Sequence, residues 1–431
     1  MRRTEPHARE RTLLVGTIHG AITAEAIEDH LQELTLLVET AGGKVVGVVT
    51  QRLSRINPRY FVGKGKAEEI ISQARALRAG LIVFTEELSP AQVKNFLQLA
   101  RDIKIIDRST LILDIFRRHA QTREARTQVE LAQWQYMLPR LTRQWTHLER
   151  QMGGIGTRAG MGETQIEVDR RMIRNRIAWL KRELARIDRE RDTQSKRRRQ
   201  EFRVALVGYT NSGKSTLMKA LSGADVFIQD QLFATLDTTV RKVNLNERTT
   251  ILLSDTVGFI RDLPHHLIAS FRSTLKEVVD ADLILIVLDA SSPRIQDHYE
   301  TIEQVLVELG AQHHPTTTVL NKLDLLDQTK QLNYLKRTFP EAVFISAKEH
   351  LRLDQLTDKI LAIMEESYQT LEMVFTYKQT RELALAQEGV EIISRSYEDD
   401  GIHLTVRGQR TRLNQIAKLE PVLIGEPGQD R

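Results

Sequence analysis

"RVALVGYTNSGKSTLMKAL", Arg203 to Leu221, decides how the chain folds. An apolar run, a glycine-bounded loop and an amphipathic run follow one another without a gap, which reads as strand, loop and helix. Inside it, Gly208, Tyr209, Thr210, Asn211, Ser212, Gly213, Lys214 and Ser215 match G-x-x-x-x-G-K-[ST] in the context that this motif requires. Glycines let backbone N–H groups curl around a phosphate, and the helix N-terminus adds positive potential. Lys214 is placed to reach the outer phosphates and Ser215 to ligate Mg2+.

Downstream, three more motifs close apolar strands. "DTVG", Asp255, Thr256, Val257 and Gly258, ends "TTILLS". An aspartate at a strand tip can hold Mg2+ through water, and Gly258 can bring its amide against a γ-phosphate. "NKLD", Asn321, Lys322, Leu323 and Asp324, ends "TTTVL". Asp324 can accept from the N1–H and 2-amino group of guanine, a donor pair that adenine lacks, and Lys322 can cover the base. "SAK", Ser346, Ala347 and Lys348, can offer a backbone amide to the guanine carbonyl. Between the first two motifs lies "LFATLDTT", with Phe233, Ala234, Thr235, Leu236 and Asp237 at its start. Thr235 is the expected γ-phosphate sensor and second Mg2+ ligand, with Thr238 and Thr239 as rivals. In order, the motifs spell a guanine-nucleotide site with GTP as substrate and Lys214, Ser215, Thr235 and Gly258 as its catalytic set. Phe259 follows Gly258 where many GTPases carry a water-orienting glutamine. A phenyl ring cannot orient water, so unassisted hydrolysis is expected to be slow; Arg241 and Arg261 are the candidates for an internal arginine finger.

The 431 residues imply about two to four domains. The chain has no cysteine, which excludes disulfides, thiolate zinc sites and thiol catalysis. It has no apolar run of membrane-spanning length. With the lack of cysteine, a cytoplasmic location with peripheral association with ribosomes or membrane is expected. Strand and helix patterns alternate over residues 1–112, predicting a parallel α/β domain. Here "YFVGKGKAEEI", Tyr60 to Ile70, reads either as a turn into a helix or as a second phosphate loop. Over 113–200 the rhythm changes. Leu131, Trp134, Leu138, Leu141, Trp145 and Leu148 repeat at three and four residues, as do Ile173, Ile177, Leu180, Leu184 and Ile187. This predicts an antiparallel helical hairpin, kinked at Pro139. Its tip is glycine-rich: Gly153, Gly154, Gly156, Gly160 and Gly162, with Arg158 among them. Arginine and lysine outnumber acids roughly two to one in this segment, with Arg170, Arg171, Arg174 and Arg176 past the tip, which points to a polyanionic partner. Residues 201–368 predict a doubly wound sheet carrying the nucleotide motifs, and 369–431 a small α+β domain.

"YFVGKGKAEEI", "EELSPAQVKNF", "IIDRSTLILDIF", "RTQVELAQWQYMLPRL", "GGIGTRAGMGETQIEVDRR", "GYTNSGKSTL" and "LFATLDTT" together resemble the HflX family of GTPases. The likeness spans about residues 10 to 370 and is weak beyond. Two family prolines are replaced, by Met161 at the tip and by Thr238. The resemblance implies a GTPase that binds the large ribosomal subunit, its rRNA and proteins, and splits stalled or idle ribosomes under stress. It implies that the glycine tip reaches toward the peptidyl-transferase region. It also implies ATP binding by the N-terminal domain, for which residues 10 to 115 carry no recognisable motif. Asn211 holds a phosphate-loop position where related GTPases bind potassium, and it reads either as such a ligand or as a residue that only shapes the loop. A monomer is expected. Two other readings stay open: a GTP-gated scaffold that docks proteins through its hairpin, and a GTPase of tRNA or rRNA maturation. The basic hairpin argues against the first, and the lack of a nucleophile or cofactor motif against the second.

Overall fold

The computed structural model describes residues 9–20, 23–141, 165–195, 201–223, 232–233, 238–247, 249–261, 275–326, 329–387, 389–419, 421 and 423–425. The first domain is built on four parallel strands, β1 (Glu10–Ile18), β2 (Gly43–Arg52), β3 (Leu81–Phe84) and β4 (Lys104–Asp107), in the order β2-β1-β3-β4. Helices α1 (Ala24–Thr40), α2 (Lys64–Ala76) and α3 (Pro90–Leu99) make the crossovers. Alternation along β1 feeds two layers. Leu13 and Val15 join Ile70, Phe84 and Phe96, while Leu14 joins Ile27, Leu34 and Phe116. "YFVGKGKAEEI" is a turn into α2, with Gly63 at its N-cap.

Asp107 caps α4 (Arg108–His119), accepting from Thr110 N at 2.9 Å. This helix runs across the boundary expected at residue 112, because Leu111, Ile112, Ile115 and Phe116 all pack into the first core. Thr122 then caps α5 (Arg123–Met137), and Pro139 lies in a single 3-10 turn, Leu138–Arg140, that ends it. The second arm is α6 (Gln165–Ser195), 31 residues and about 46 Å long. Val168, Ile173 and Leu180 are buried on it, and it packs along α5, whose Val129 and Ala132 belong to the first core. Trp145, Leu148, Gly153, Gly154, Gly156, Arg158, Gly160, Met161 and Gly162 lie outside the described residues.

The second sheet has six strands in the order β10-β9-β8-β5-β7-β6: β5 (Phe202–Gly208), β6 (Thr239–Asn244), β7 (Thr250–Asp255), β8 (Leu283–Asp289), β9 (Thr316–Asn321) and β10 (Val343–Phe344). All run parallel except β6, which pairs antiparallel with β7. Around them stand α7 (Lys214–Ser222), α8 (Lys276–Val279), α9 (Ile295–Leu309), α10 (Thr329–Thr338) and α11 (Leu353–Ser367). The last domain is an antiparallel sheet in the order β12-β13-β11-β14: β11 (Tyr368–Phe375), β12 (Glu391–Glu398), β13 (Gly401–Gln409) and β14 (Leu423–Gly425). Helices α12 (Thr380–Ala386) and α13 (Arg410–Ala417) set Leu383, Ala386, Leu413 and Ile416 against Met373, Phe375, Leu404 and Val406. Among the described residues no helix is long and apolar enough to cross a membrane.

The first two domains share one core. Leu14 and Phe116 belong to the same buried cluster as Tyr209, Phe233, Phe259, Ile302 and Leu306. Phe116 meets Phe233 edge to face, with ring centroids 4.6 Å apart.

Candidate active site

Strand β5 ends in a loop that only glycine permits at two points. A Cβ on Gly208 would stand 2.3 Å from the Val287 carbonyl oxygen. Gly213 has φ 91°, and its Cβ would stand 2.2 Å from Asn321 Nδ2. Asn211 adopts φ 60° between them, a left-handed geometry that asparagine tolerates. The loop feeds α7, whose first residue, Lys214, is buried. Its Nζ donates to the carbonyls of Gly208 at 3.1 Å and Tyr209 at 3.0 Å. Burial pulls the Lys214 ammonium down to about 8, against a smaller opposing pull from Asp255.

The neighbouring strand brings the second motif alongside. Ser215 Oγ donates to Asp255 Oδ2 at 2.6 Å. A hydroxyl and a carboxylate in contact are the hard oxygen donors that Mg2+ takes, so these two residues fit that ion. Thr256 is buried and its hydroxyl donates to the Leu206 carbonyl at 2.7 Å. Gly258 lies against the loop: a Cβ there would be 2.9 Å from Thr210 Cα and 3.1 Å from Lys214 Nζ. The backbone of Phe259 pairs with the loop, its N–H donating to Gly208 O at 3.0 Å and its carbonyl accepting from Thr210 N at 2.7 Å. Its ring is buried, as is Val257.

At the other side, Asn321 is a brace. Its Nδ2 donates to Ser212 O at 2.9 Å, and its Oδ1 accepts from Ala347 N at 2.9 Å. One buried side chain therefore ties the phosphate loop to both base-side motifs. Lys322, at φ 64°, puts Nζ 2.8 Å from Asp289 Oδ2. Asp324 is exposed, beside Leu323, and accepts from Ser346 Oγ at 2.5 Å. Ser346 Oγ also accepts from Glu349 N at 3.1 Å, and Lys348 points outward toward Glu349. A shallow exposed carboxylate held by a serine can receive a flat base that then covers it.

The remaining expected residues fall into two groups, those outside the described residues and those that stand apart from this centre. Ala234, Thr235, Leu236 and Asp237 lie outside the described residues. Of the rivals, Thr239 stands opposite Asp255 in the β6–β7 register. Arg241 is exposed on β6, and the Arg261 guanidinium turns to Asp297 at 3.5 Å. On the hairpin, Arg170, Arg171 and Arg174 are exposed. Arg176 pairs with Glu130 at 2.7 Å and lies over the Trp179 ring at 4.4 Å. Glu33, Arg108 and His298, which surround Tyr209, carry no local motif that would have found them; only the folded chain brings them together.

Family models match most of this architecture. One described as "GTP-binding GTPase N-terminal" matches residues 28–117, and "GTP-binding GTPase Middle Region" matches 119–198. A third, "50S ribosome-binding GTPase", matches 203–322. Among curated relatives, GTPase HflX of Caldanaerobacter subterraneus subsp. tengcongensis is 43% identical over 91% of this chain and 90% of its own. The Flavobacterium psychrophilum GTPase HflX is 51% identical over 73% of this chain and 76% of its own. The Escherichia coli protein of that name is 40% identical over 97% of this chain and 98% of its own. With the nucleotide motifs assembled at the strand ends and identity of that order along nearly its full length, the chain belongs to the HflX family of GTPases and is a GTP hydrolase.

Proposed function

We propose that the protein binds the large ribosomal subunit through its basic hairpin and couples GTP binding and hydrolysis to the splitting of stalled or idle ribosomes under stress. The observation that carries this reading is the hairpin's root. Helices α5 and α6 present exposed arginines, and α5 follows directly on α4, whose Phe116 packs on Phe233 beside the nucleotide motifs. Exposed arginines suit phosphate-rich RNA, and a glycine tip suits passage between packed strands. The name "50S ribosome-binding GTPase" belongs to the model that residues 203–322 match, and it supports the choice of partner.

In this reading the amides of the 208–215 loop and Lys214 hold the β- and γ-phosphates, with Gly258 meeting the γ-phosphate from the other side. Ser215 and Thr235 would hold Mg2+ directly and Asp255 through water, and the ion would supply charge neutralisation at the phosphates. Asp324 selects guanine, Lys322 covers the base, and Asn321 fixes both loops. Potassium at Asn211, ATP on the first domain, a monomeric state and a cytoplasmic location belong to the same proposal. Phe259 offers only its backbone, so the water is oriented by a backbone group or, in this reading, from outside the chain. GTP then holds the subunit-bound state and hydrolysis releases it. Single-turnover hydrolysis with and without purified large subunits tests this. Slow turnover alone and at least a tenfold rise, roughly 1.4 kcal/mol of barrier, is expected. A rapid free enzyme, or indifference to subunits, rejects it, and co-sedimentation with proteins but not rRNA would favour the scaffold.

A further inference from the structure

Trp179 stands where packing makes little use of it. On α6, Ile173 and Leu180 turn to the interior, while Trp179, beside Leu180, is 45% exposed and belongs to no buried cluster of the described residues. Tryptophan is ordinarily well covered, because an indole left in water forgoes a large apolar burial. Met172, also exposed, and Arg176 share its face of the helix at spacings of four and three residues. The Arg176 guanidinium lies over the Trp179 ring, 4.4 Å from the centroid. Its Nε in turn donates to Glu130 Oε1 of α5 at 2.7 Å, and the same oxygen accepts from the Trp134 indole N–H at 3.2 Å. Two helices thus fix the plane of one guanidinium, and that plane backs one face of the indole. With both groups held beforehand, little rotamer freedom is lost when a second flat group arrives.

Arg174, Lys181 and Arg182 stand exposed within two turns of this indole. A flat aromatic face, a flat cation behind it and a positive surround match an unstacked base carried on a phosphate backbone. The exposed cations favour RNA over an apolar protein partner, and a paired duplex offers no free base face. We propose that Trp179, backed by Arg176, is a stacking platform for an unpaired base of single-stranded RNA. Glu130 and Trp134 are its positioning residues. Every base has a π-face, so the platform reads strandedness rather than sequence. Stacking is short-ranged and is not screened by salt, so it persists where the contacts of exposed arginines fade.

The platform rests on the proposed meeting of hairpin and RNA, and two probes on the full chain separate the claims. One is a short single-stranded RNA of mixed sequence; the other is the same backbone made abasic. The first should quench tryptophan fluorescence and the second should not. The chain has three tryptophans, so the quench is assigned by its loss in Trp179→Phe, which still stacks and should bind within about threefold. Trp179→Ala should weaken the first probe about fivefold or more and the second less than twofold. Trp179→Tyr should restore most of that loss. Glu130→Gln, which releases Arg176, should narrow the difference in affinity between the probes; an unchanged difference would overturn the anchoring by Glu130. Binding of both probes with equal losses in Trp179→Ala, or an undiminished quench in Trp179→Phe, would sink the platform and leave the RNA reading standing. Binding of neither probe at low salt would sink that reading and the platform with it. Quenching by large-subunit proteins freed of rRNA, and not by RNA, would make this face a protein dock and overturn the proposal.

Discussion

Two regions of the molecule present positive charge, and they do it in opposite ways. At the nucleotide site a single lysine, Lys214, is 6% exposed and fixed by two carbonyls. On the hairpin, Arg170, Arg171 and Arg174 stand in solvent. The buried lysine has surrendered hydration in advance, so a phosphate reaching it gains strength from the low dielectric. The arginines remain hydrated and screened, and each contributes little alone. One region recognises a small ligand by a preorganised shape, and the other is suited to a large polyanion met by many weak contacts.

That contrast orders the expected effects. The largest lie in the nucleotide site. Asp324→Asn should cost about a hundredfold or more in GTP affinity and improve binding of a xanthine nucleotide, since the amide donates where the carboxylate accepted. Competition between the two nucleotides measures it, and retained GTP preference would misplace the base pocket. Lys214→Ala should cost about a hundredfold for GTP, in the range of a lost charged hydrogen bond; equilibrium titration with a fluorescent GTP analogue measures it, and a loss under tenfold would equate the lysine with the exposed arginines.

Next comes proton linkage at Lys214. Its folded value, about 8, lies below the ordinary 10.5, so the free protein gives up this proton first. GTP needs the ammonium, and its affinity should therefore fall about tenfold between pH 7 and pH 9. The contribution of this group to folding has the opposite sign: the unfolded chain holds more protons from about 8 to 10.5, so this contribution rises with pH there. Calorimetric titration at several pH values tests the first, and a flat profile would mean that the lysine is not desolvated.

The smallest single effects belong to the hairpin. Replacing Arg170, Arg171, Arg174 and Arg176 together by Ala should flatten the salt dependence of large-subunit binding while GTP affinity stays within twofold. Sedimentation across a salt series reads the slope, and an unchanged slope would mean that these arginines do not meet phosphate. Glu130→Gln, which loosens the exposed pair with Arg176, should lower thermal stability by no more than about 1 kcal/mol.

Much of this was legible beforehand because it is local. Buried strands read as apolar runs, and each nucleotide motif closes one of them. Other features are not local. Strand β6 is not legible in the sequence, because Arg241 and Lys242 are exposed and only Val243 is buried, so this edge strand carries no apolar run. The extent of α4 beyond residue 112 depends on what it packs against, not on its own rhythm. Asn321 reads as part of a base motif, yet its amide braces loops 109 and 26 residues away in sequence. Tyr209 reads as one more loop residue, while its partner Glu33 lies 176 positions earlier. Contacts of that span leave no periodic trace.

The junction between the second and third domains has a mechanical consequence. Helix α11 ends at Ser367 and strand β11 begins at Tyr368, with no residue between them. Tyr368 packs against the core of the nucleotide-binding domain, while Arg407 of the terminal sheet sits over its ring at 5.9 Å. The terminal sheet is thus an arm without an elbow. A tilt of α11, which starts a few residues after the serine that holds Asp324, would meet that sheet with no linker residue in between.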